Sequence, residues 1–269
     1  MVSNVGTAID DVIAGALADE PGEVLLVNPS PAVLEQFVET VADRERRPET
    51  RLLGEEEALK AATEDFILAS QAADLIEAGD LAIRTADLPR SSLLVTPDRV
   101  VSLVAVGDGM GGLATDDEEF VGAVADAYEA AWEEADEFSL RTPAISRVRE
   151  TLADSIGPEV EADFEAMLAS VETARGDDGL DEVVISLLVA AKNEVLLYDV
   201  SKWGENVGIA SKATFSRAKT RLEDLGLVET EKVPIDVGRP RLRLMPGDDR
   251  LAEAPIEDLA AVARDLRSA

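Results

Sequence analysis

The sequence predicts an α/β (or α+β) domain followed by a winged helix-turn-helix, and three observations carry that prediction. Short apolar strands alternate with helical runs over residues 1–140. A helix with one apolar stripe and one small, hydroxyl-bearing face lies between Ser211 and Gly226. A hairpin follows it at once, with arginine at every second residue of its return strand. The 269 residues are enough for two domains with cores of their own. The expected division is an α/β effector and dimerisation domain at 1–140 and a helical connector at 141–180. The winged helix-turn-helix follows at 181–246 and a C-terminal helix at 247–269.

In chain order, residues 23–27 (EVLLV) read as a short strand, and Asn28-Pro-Ser-Pro31 leads into a helix over 32–42. That junction, at a strand end before a helix, is where α/β folds hold ligands, but a plain turn is the favoured reading. A second strand is expected at 50–53, then a long helical region at 55–78 broken near Ser70 and Gln71. Strands follow at 81–85 and 92–95. Thr96-Pro-Asp-Arg99 is the turn of a hairpin completed by 100–106. An Ala/Glu-rich helix is expected over 120–138. Thr142-Pro143 has the cap-then-proline start of another helix, residues 158–174 give one more, and Gly176-Asp-Asp-Gly179 is the expected linker.

Gly107 to Gly112 has the G-x-G-x-x-G spacing of a dinucleotide loop. Such a loop needs a helix amino end aimed at the phosphates. Here Asp116, Asp117, Glu118 and Glu119 follow, and they repel phosphate. The run is therefore expected to be a mobile glycine loop, and the acids to complement the dipole of the next helix.

The C-terminal part carries the functional signal. Residues 181–194 and 196–207 read as two helices, and Gly208 breaks the chain before Ser211, a good N-cap. Phe215, Ala218, Leu222 and Leu225 form a buried stripe, and Gly226 sits where a left-handed cap belongs. Ala213, Ser216, Arg217 and Thr220 point the other way. That face is narrow enough for a major groove about 12 Å wide, and it carries no acid before Glu223. Ser216, Arg217 and Thr220 are expected at base edges, and Ser211, Lys212, Thr214, Lys219 and Arg221 at phosphates or groove edges. Residues 228–233, a turn at 234–238 and a return strand at 239–244 make the wing, with Arg239 and Arg241 expected to reach a neighbouring DNA backbone or minor groove. On the helix alone, a plain amphipathic surface helix is the competing reading.

Charge agrees with this assignment. The net charge is −31, yet residues 211–245 hold eight basic side chains against five acidic ones. A strongly acidic chain repels DNA, so contact is expected where the acid excess is absent. With 19 Arg, 6 Lys and 56 acids, the composition is that of a halophilic surface, where high salt screens self-repulsion. There is no Cys and no His, which removes thiol nucleophiles, Cys–zinc sites and imidazole bases. No enzyme, metal site or cofactor is expected, and no residue is assigned to cofactor binding. The absence of a long apolar run and a polar N-terminus predict a soluble, cytoplasmic protein.

Residues 197–217 (LYDVSKWGENVGIASKATFSR) and 231–244 (EKVPIDVGRPRLRL) resemble the haloarchaeal TbsP-like transcription regulators. The resemblance implies an N-terminal α/β domain joined to a C-terminal winged helix, linked to genes of central sugar metabolism. The N-terminal half also resembles the effector domains of TrmB-type sugar-responsive regulators, related to phospholipase D-like folds. That phosphodiesterase chemistry needs histidines absent here, so only a binding scaffold carries over. The expected function is sequence-specific binding of double-stranded promoter DNA by a homodimer, with a small-molecule effector on the N-terminal domain. The alternative is a winged helix that binds protein within a transcription-related complex. Apolar stripes at Ile256, Leu259, Ala260, Ala263 and Leu266, and at Phe164, Met167, Leu168 and Val171, are the candidate dimer surfaces.

Overall fold

The computed structural model describes residues 9–18, 22–88, 91–106, 109–171, 180–235 and 240–268. The chain divides into two compact units, residues 1–64 with 71–140 and residues 65–70 with 141–269.

The first unit contains α1 (Ile9–Ala16), β1 (Glu23–Val27), α2 (Pro31–Ala42), β2 (Glu49–Gly54) and α3 (Glu56–Ala62). After α4 (Phe66–Ala78), whose first turn belongs to the second unit, come β3 (Leu81–Thr85), β4 (Ser92–Thr96), β5 (Arg99–Val106) and β6 (Gly109–Thr115). α5 (Glu118–Glu134) and β7 (Asp136–Glu137) complete it. The strands form one sheet in the order β6-β5-β4-β1-β2-β3-β7. β1, β2 and β3 are parallel and the other pairings antiparallel, which makes a mixed α/β sheet. One face packs under α5, with Val95, Val100 and Val121 in one cluster and Val27, Leu53 and Leu88 beside Tyr128 and Trp132 in another.

Local chemistry sets the helix starts. Ser30 Oγ accepts the Val33 N–H at 3.4 Å and Pro31 opens α2, so residues 28–31 are a strand-to-helix turn. Asp117 accepts the Phe120 N–H at 3.0 Å, and Glu118 and Glu119 occupy the first turn of α5 as the dipole favours.

Three expectations are corrected here, and one element is new. The helical break falls at residues 63–65, not at Ser70 and Gln71, because buried Asp65 caps α4 through the N–H groups of Ile67 and Leu68. The helix expected over 120–138 ends at Glu134, and the next two residues pair with β3. The glycine run is strand rather than loop from Gly109 onward, with Gly107 and Asp108 outside the described residues. A Cβ on Gly112 would lie 2.8 Å from Val12 Cγ1 and 3.1 Å from Val101 Cγ1. Glycine there lets α1 approach the sheet closely. That helix is the fourth difference: the sequence pattern had not marked residues 9–16 as an element.

The second unit contains α6 (Ile145–Ser155), α7 (Pro158–Ala169), α8 (Glu182–Lys192), α9 (Leu197–Val207) and α10 (Lys212–Asp224). Behind them come β8 (Val228–Val233), β9 (Arg241–Pro246), α11 (Asp249–Glu253), a 3-10 turn at Ile256–Asp258 and α12 (Leu259–Ser268). α8 is the hub: every residue from Val183 to Ala191 is buried, as for a helix enclosed on all sides. Residues 141–171 are more than a connector. Val148, Leu152, Phe164 and Met167 join the same core, Phe164 meets Trp203 edge-on, and Trp203 Nε1 donates to Thr151 Oγ1 at 3.0 Å. α6 starts later than expected, after Ala144, so Thr142 is not its cap.

Both stripes expected at a dimer surface are used inside the chain. Leu259, Ala260 and Ala263 of α12, and Phe164, Met167 and Val171 around α7, are buried in the core of this unit. Residues 172–179, with the expected linker, lie outside the described residues.

Candidate nucleic-acid interface

The site is built on two helices that meet at a glycine. A Cβ on Gly204 of α9 would collide with Cε2 and Cζ of Phe215 in α10, a side chain with no solvent exposure. Gly208 then turns the chain with φ 97°, a conformation that glycine adopts without steric cost. The Gly204 carbonyl accepts the N–H groups of Gly208 and Ile209 at 3.2 and 2.9 Å. Ser211 starts α10: its Oγ accepts the Thr214 N–H at 3.2 Å and lies 3.0 Å from Thr214 Oγ1. The helix-turn-helix angle is thus fixed by one close contact, one left-handed residue and one cap.

α10 buries Phe215 and Leu222 and half-buries Ala218. Leu225 leaves the expected stripe and is 40% exposed, because it is the C-cap residue and Gly226, at φ 70°, reverses the chain. Leu227 takes its place, 1% exposed, with its N–H on the Leu222 carbonyl. A Cβ on Gly247 would strike the Gly226 carbonyl, so the base of the hairpin needs glycine to close.

The outward face is the one the sequence marks. Ser211, Lys212, Ala213, Ser216, Arg217, Thr220 and Arg221 are exposed, and Thr214 is half-exposed. Arg217 Nη2 donates to Thr214 Oγ1 at 3.2 Å, which holds the guanidinium along the helix surface. Thr220 Oγ1 donates to the Ser216 carbonyl at 3.1 Å. The Arg221 side chain has no hydrogen bond or ion pair among the described residues. Lys212 Nζ bonds Glu205 Oε2 at 2.6 Å across an exposed pair, the kind that water and salt weaken. That bond lowers the Glu205 pKa and raises that of Lys212.

Two basic residues of the expected set are committed elsewhere. Lys219, with a side chain only 12% exposed, pairs with Glu223 at 2.7 Å, and Glu223 also accepts from Thr230 Oγ1 at 2.8 Å. Burial pushes the Glu223 pKa up, and these two bonds outweigh it to leave a net lowering. Arg241 lies 3.6 Å over the Tyr198 ring and 3.5 Å from Asp199 Oδ1, so the wing strand is tied to the start of α9. Arg243 pairs with Glu231 across the hairpin at 3.3 Å. On the opposite side of β9, Leu244 is fully buried and donates its N–H to Val195. Arg239 lies outside the described residues.

The roles of Gly204, Glu205, Tyr198 and Asp199 were not singled out from the sequence. A glycine inside a helical run, with no capping duty, was the available signal for the first. Tyr198 and Asp199 act on Arg241, distant in sequence, and Glu205 acts on Lys212 across the turn between the two helices. Among the described residues no group of three or more acidic side chains is placed to hold a metal, and no helix is long and apolar enough to cross a membrane. The first unit has a cavity of about 190 Å³ beneath α5, lined among others by Glu23, Arg51, Thr96, Tyr128, Glu129 and Trp132.

A buried helix, a helix-turn-helix and a hairpin closing behind the second of those helices define a winged helix-turn-helix protein. The chain belongs to the TbsP-like transcriptional regulators: the family's N-terminal domain matches residues 2–143 and its C-terminal helix-turn-helix domain residues 144–264. No curated relative matches the chain. Among solved structures, TrmBL2, described as an archaeal chromatin protein with a novel mode of DNA binding, is 17% identical with a TM-score of 0.37. That match spans 50% of this chain and about half, 53%, of the other.

Proposed function

We propose that this regulator binds specific sites in double-stranded promoter DNA by laying α10 in the major groove. The observation that carries the reading is the outward face of α10. From Ser211 to Leu222 it has no acid in a chain of net charge −31, and its exposed residues are small, hydroxylic or basic. Ser216, Arg217 and Thr220 read base edges, where an arginine fork suits a guanine and hydroxyls suit several bases. Ser211, Lys212, Thr214 and Arg221 flank them at phosphates or groove edges. Lys212 exchanges its exposed Glu205 partner for a phosphate. Glu223, paired with Lys219 on α10, and Arg241 tie the wing to the helices, and Arg239 is assigned to the DNA backbone on sequence grounds.

The finer parts of the reading rest on resemblance and composition: two copies per operator, targets among genes of central sugar metabolism, a halophilic archaeal cytoplasm and a small-molecule effector on the N-terminal unit. The test is occupancy mapping across the genome at two carbon sources, followed by footprinting of the purified chain in concentrated KCl. The expected result is a short, two-fold symmetric footprint upstream of sugar-metabolism genes, with occupancy that changes between carbon sources. Recruitment to promoters without any footprint by the purified chain would instead favour a winged helix that binds another protein.

A further inference from the structure

The sheet of the first unit ends in two unlike edges. β7 is two residues long, Asp136 and Glu137, both exposed. A short, charged edge of that kind blocks addition of another strand. β6 at the opposite edge is seven residues long, GMGGLAT, carries no charge and, among the described residues, pairs on one side only, with β5. Residues 100–115 contain a single charged residue, Asp108, in a chain that is 30% charged.

An apolar patch lies beside that edge. Leu113, Phe120 and Val104 are 59%, 53% and 41% exposed, three of the six exposed large apolar side chains among the described residues. Leu113 stands opposite Ser102, which sets it diagonally from Val104 on the same face of the sheet. Phe120, in the first turn of α5, adjoins Val121, which packs with Val95 and Val100 on that face.

We infer that β6 is a dimer edge: two copies of this chain pair β6 with β6 in antiparallel register about a two-fold axis, and their Leu113, Val104 and Phe120 side chains cover one another. Two arguments select a second copy as the occupant. A two-fold interface sets a surface against itself, so acids there repel and a charge-free strand does not. A chain with 56 acids offers little such surface, and β6 is a continuous stretch of it, bounded by Asp108 before it and by Asp116 to Glu119 after it. An edge strand is also complementary to its own antiparallel copy, since each backbone presents donors and acceptors in the same alternation. The stripes on α7 and α12 do not compete for this role, because six of their residues are buried in their own unit and Leu168, Ile256 and Leu266 are packed against its core. The inference rests on the proposed DNA-binding reading only for the use of a dimer.

The test uses the full chain in concentrated KCl. Light scattering is expected to give twice the mass of one chain for the parent and half of that for Leu113→Glu, with unchanged circular dichroism. Because the chain has no cysteine, Leu113→Cys carries a single nitroxide. Pairing centred on Gly112, the middle of β6, places the two labelled positions about 8 Å apart, given strands about 4.8 Å apart and about 3.4 Å per residue. Strong dipolar broadening is expected. A monomeric parent, a dimeric Leu113→Glu chain, or labels too distant to broaden would each overturn the inference. Arg217→Ala keeps the dimer mass and binds the operator more weakly, so failure of the dimer edge and failure of the reading helix give different results.

Discussion

Replacing Gly204 by alanine tests whether one contact sets the helix-turn-helix angle. The added Cβ falls on the ring of Phe215, which is fully buried between α9 and α10 and has no solvent-side space to retreat into. Overpacking of this kind costs about 1–3 kcal/mol, and a collision with a ring enclosed on all sides belongs at the upper end. Alanine returns about 0.8–1 kcal/mol through better helix propensity in α9. The net expectation is a loss of about 2 kcal/mol, or roughly 6–10 °C in the melting of a unit this size. The assay is thermal unfolding followed through Trp203 fluorescence in a Trp132→Phe background, since Trp203 adjoins the glycine and packs on Phe164. Phe215→Leu in the same chain should relieve the collision, so the double variant should be less destabilised than the sum of the two by about 1 kcal/mol or more. An unchanged or higher melting temperature for Gly204→Ala, or strict additivity with Phe215→Leu, would refute the reasoning.

Three further outcomes are expected. Arg221→Ala should weaken binding to all DNA sequences alike and flatten the slope of log affinity against log salt by about 0.9, because one phosphate contact is lost; a change in preferred sequence would place Arg221 at a base instead. Arg241→Ala should cost about 1 kcal/mol of stability through the lost contact with Tyr198 while leaving that slope nearly intact; a stable variant with a flattened slope would return Arg241 to the DNA backbone. Burial raises the pKa of Glu182 at the start of α8, so its folded form holds a proton at pH values where the unfolded form has released it. Stability therefore falls as pH rises from the unfolded to the folded pKa and the cost stays constant above. Glu182→Gln should accordingly raise the melting temperature at pH 7, with a gain that shrinks on acidification toward the unfolded pKa; a gain that grows as pH falls would reverse the sign of this argument.

Elements set by local chemistry were legible in the sequence. Ser211, Phe215, Leu222 and Gly226 mark α10 through a cap, a spacing and a left-handed stop, each confined to one helix. The period-2 arginines of β9 mark the wing in the same way. What escaped depends on contacts distant in sequence. Gly109 to Gly112 look like a loop until Val12 packs over Gly112 and Val101, which makes small size useful inside a strand. Residues 141–171 resemble a connector until Phe164 and Thr151 meet Trp203. Within the candidate site, the outward residues of α10 are visible from helical geometry alone. The commitment of Lys219 to Glu223 is an i,i+4 pairing that spacing allows without requiring, and that of Arg241 to Tyr198 needs the fold.

The central claim is that the outward face of α10 reads DNA sequence, and the most direct measurement is the affinity of Arg217→Ala and the parent for one footprinted operator and for a scrambled duplex. Both chains are compared at one KCl concentration, with folding checked by circular dichroism. The account predicts that the variant loses about 1–3 kcal/mol on the operator, roughly 5- to 150-fold, and much less on the scrambled duplex. Equal operator affinity for the two folded chains would contradict it.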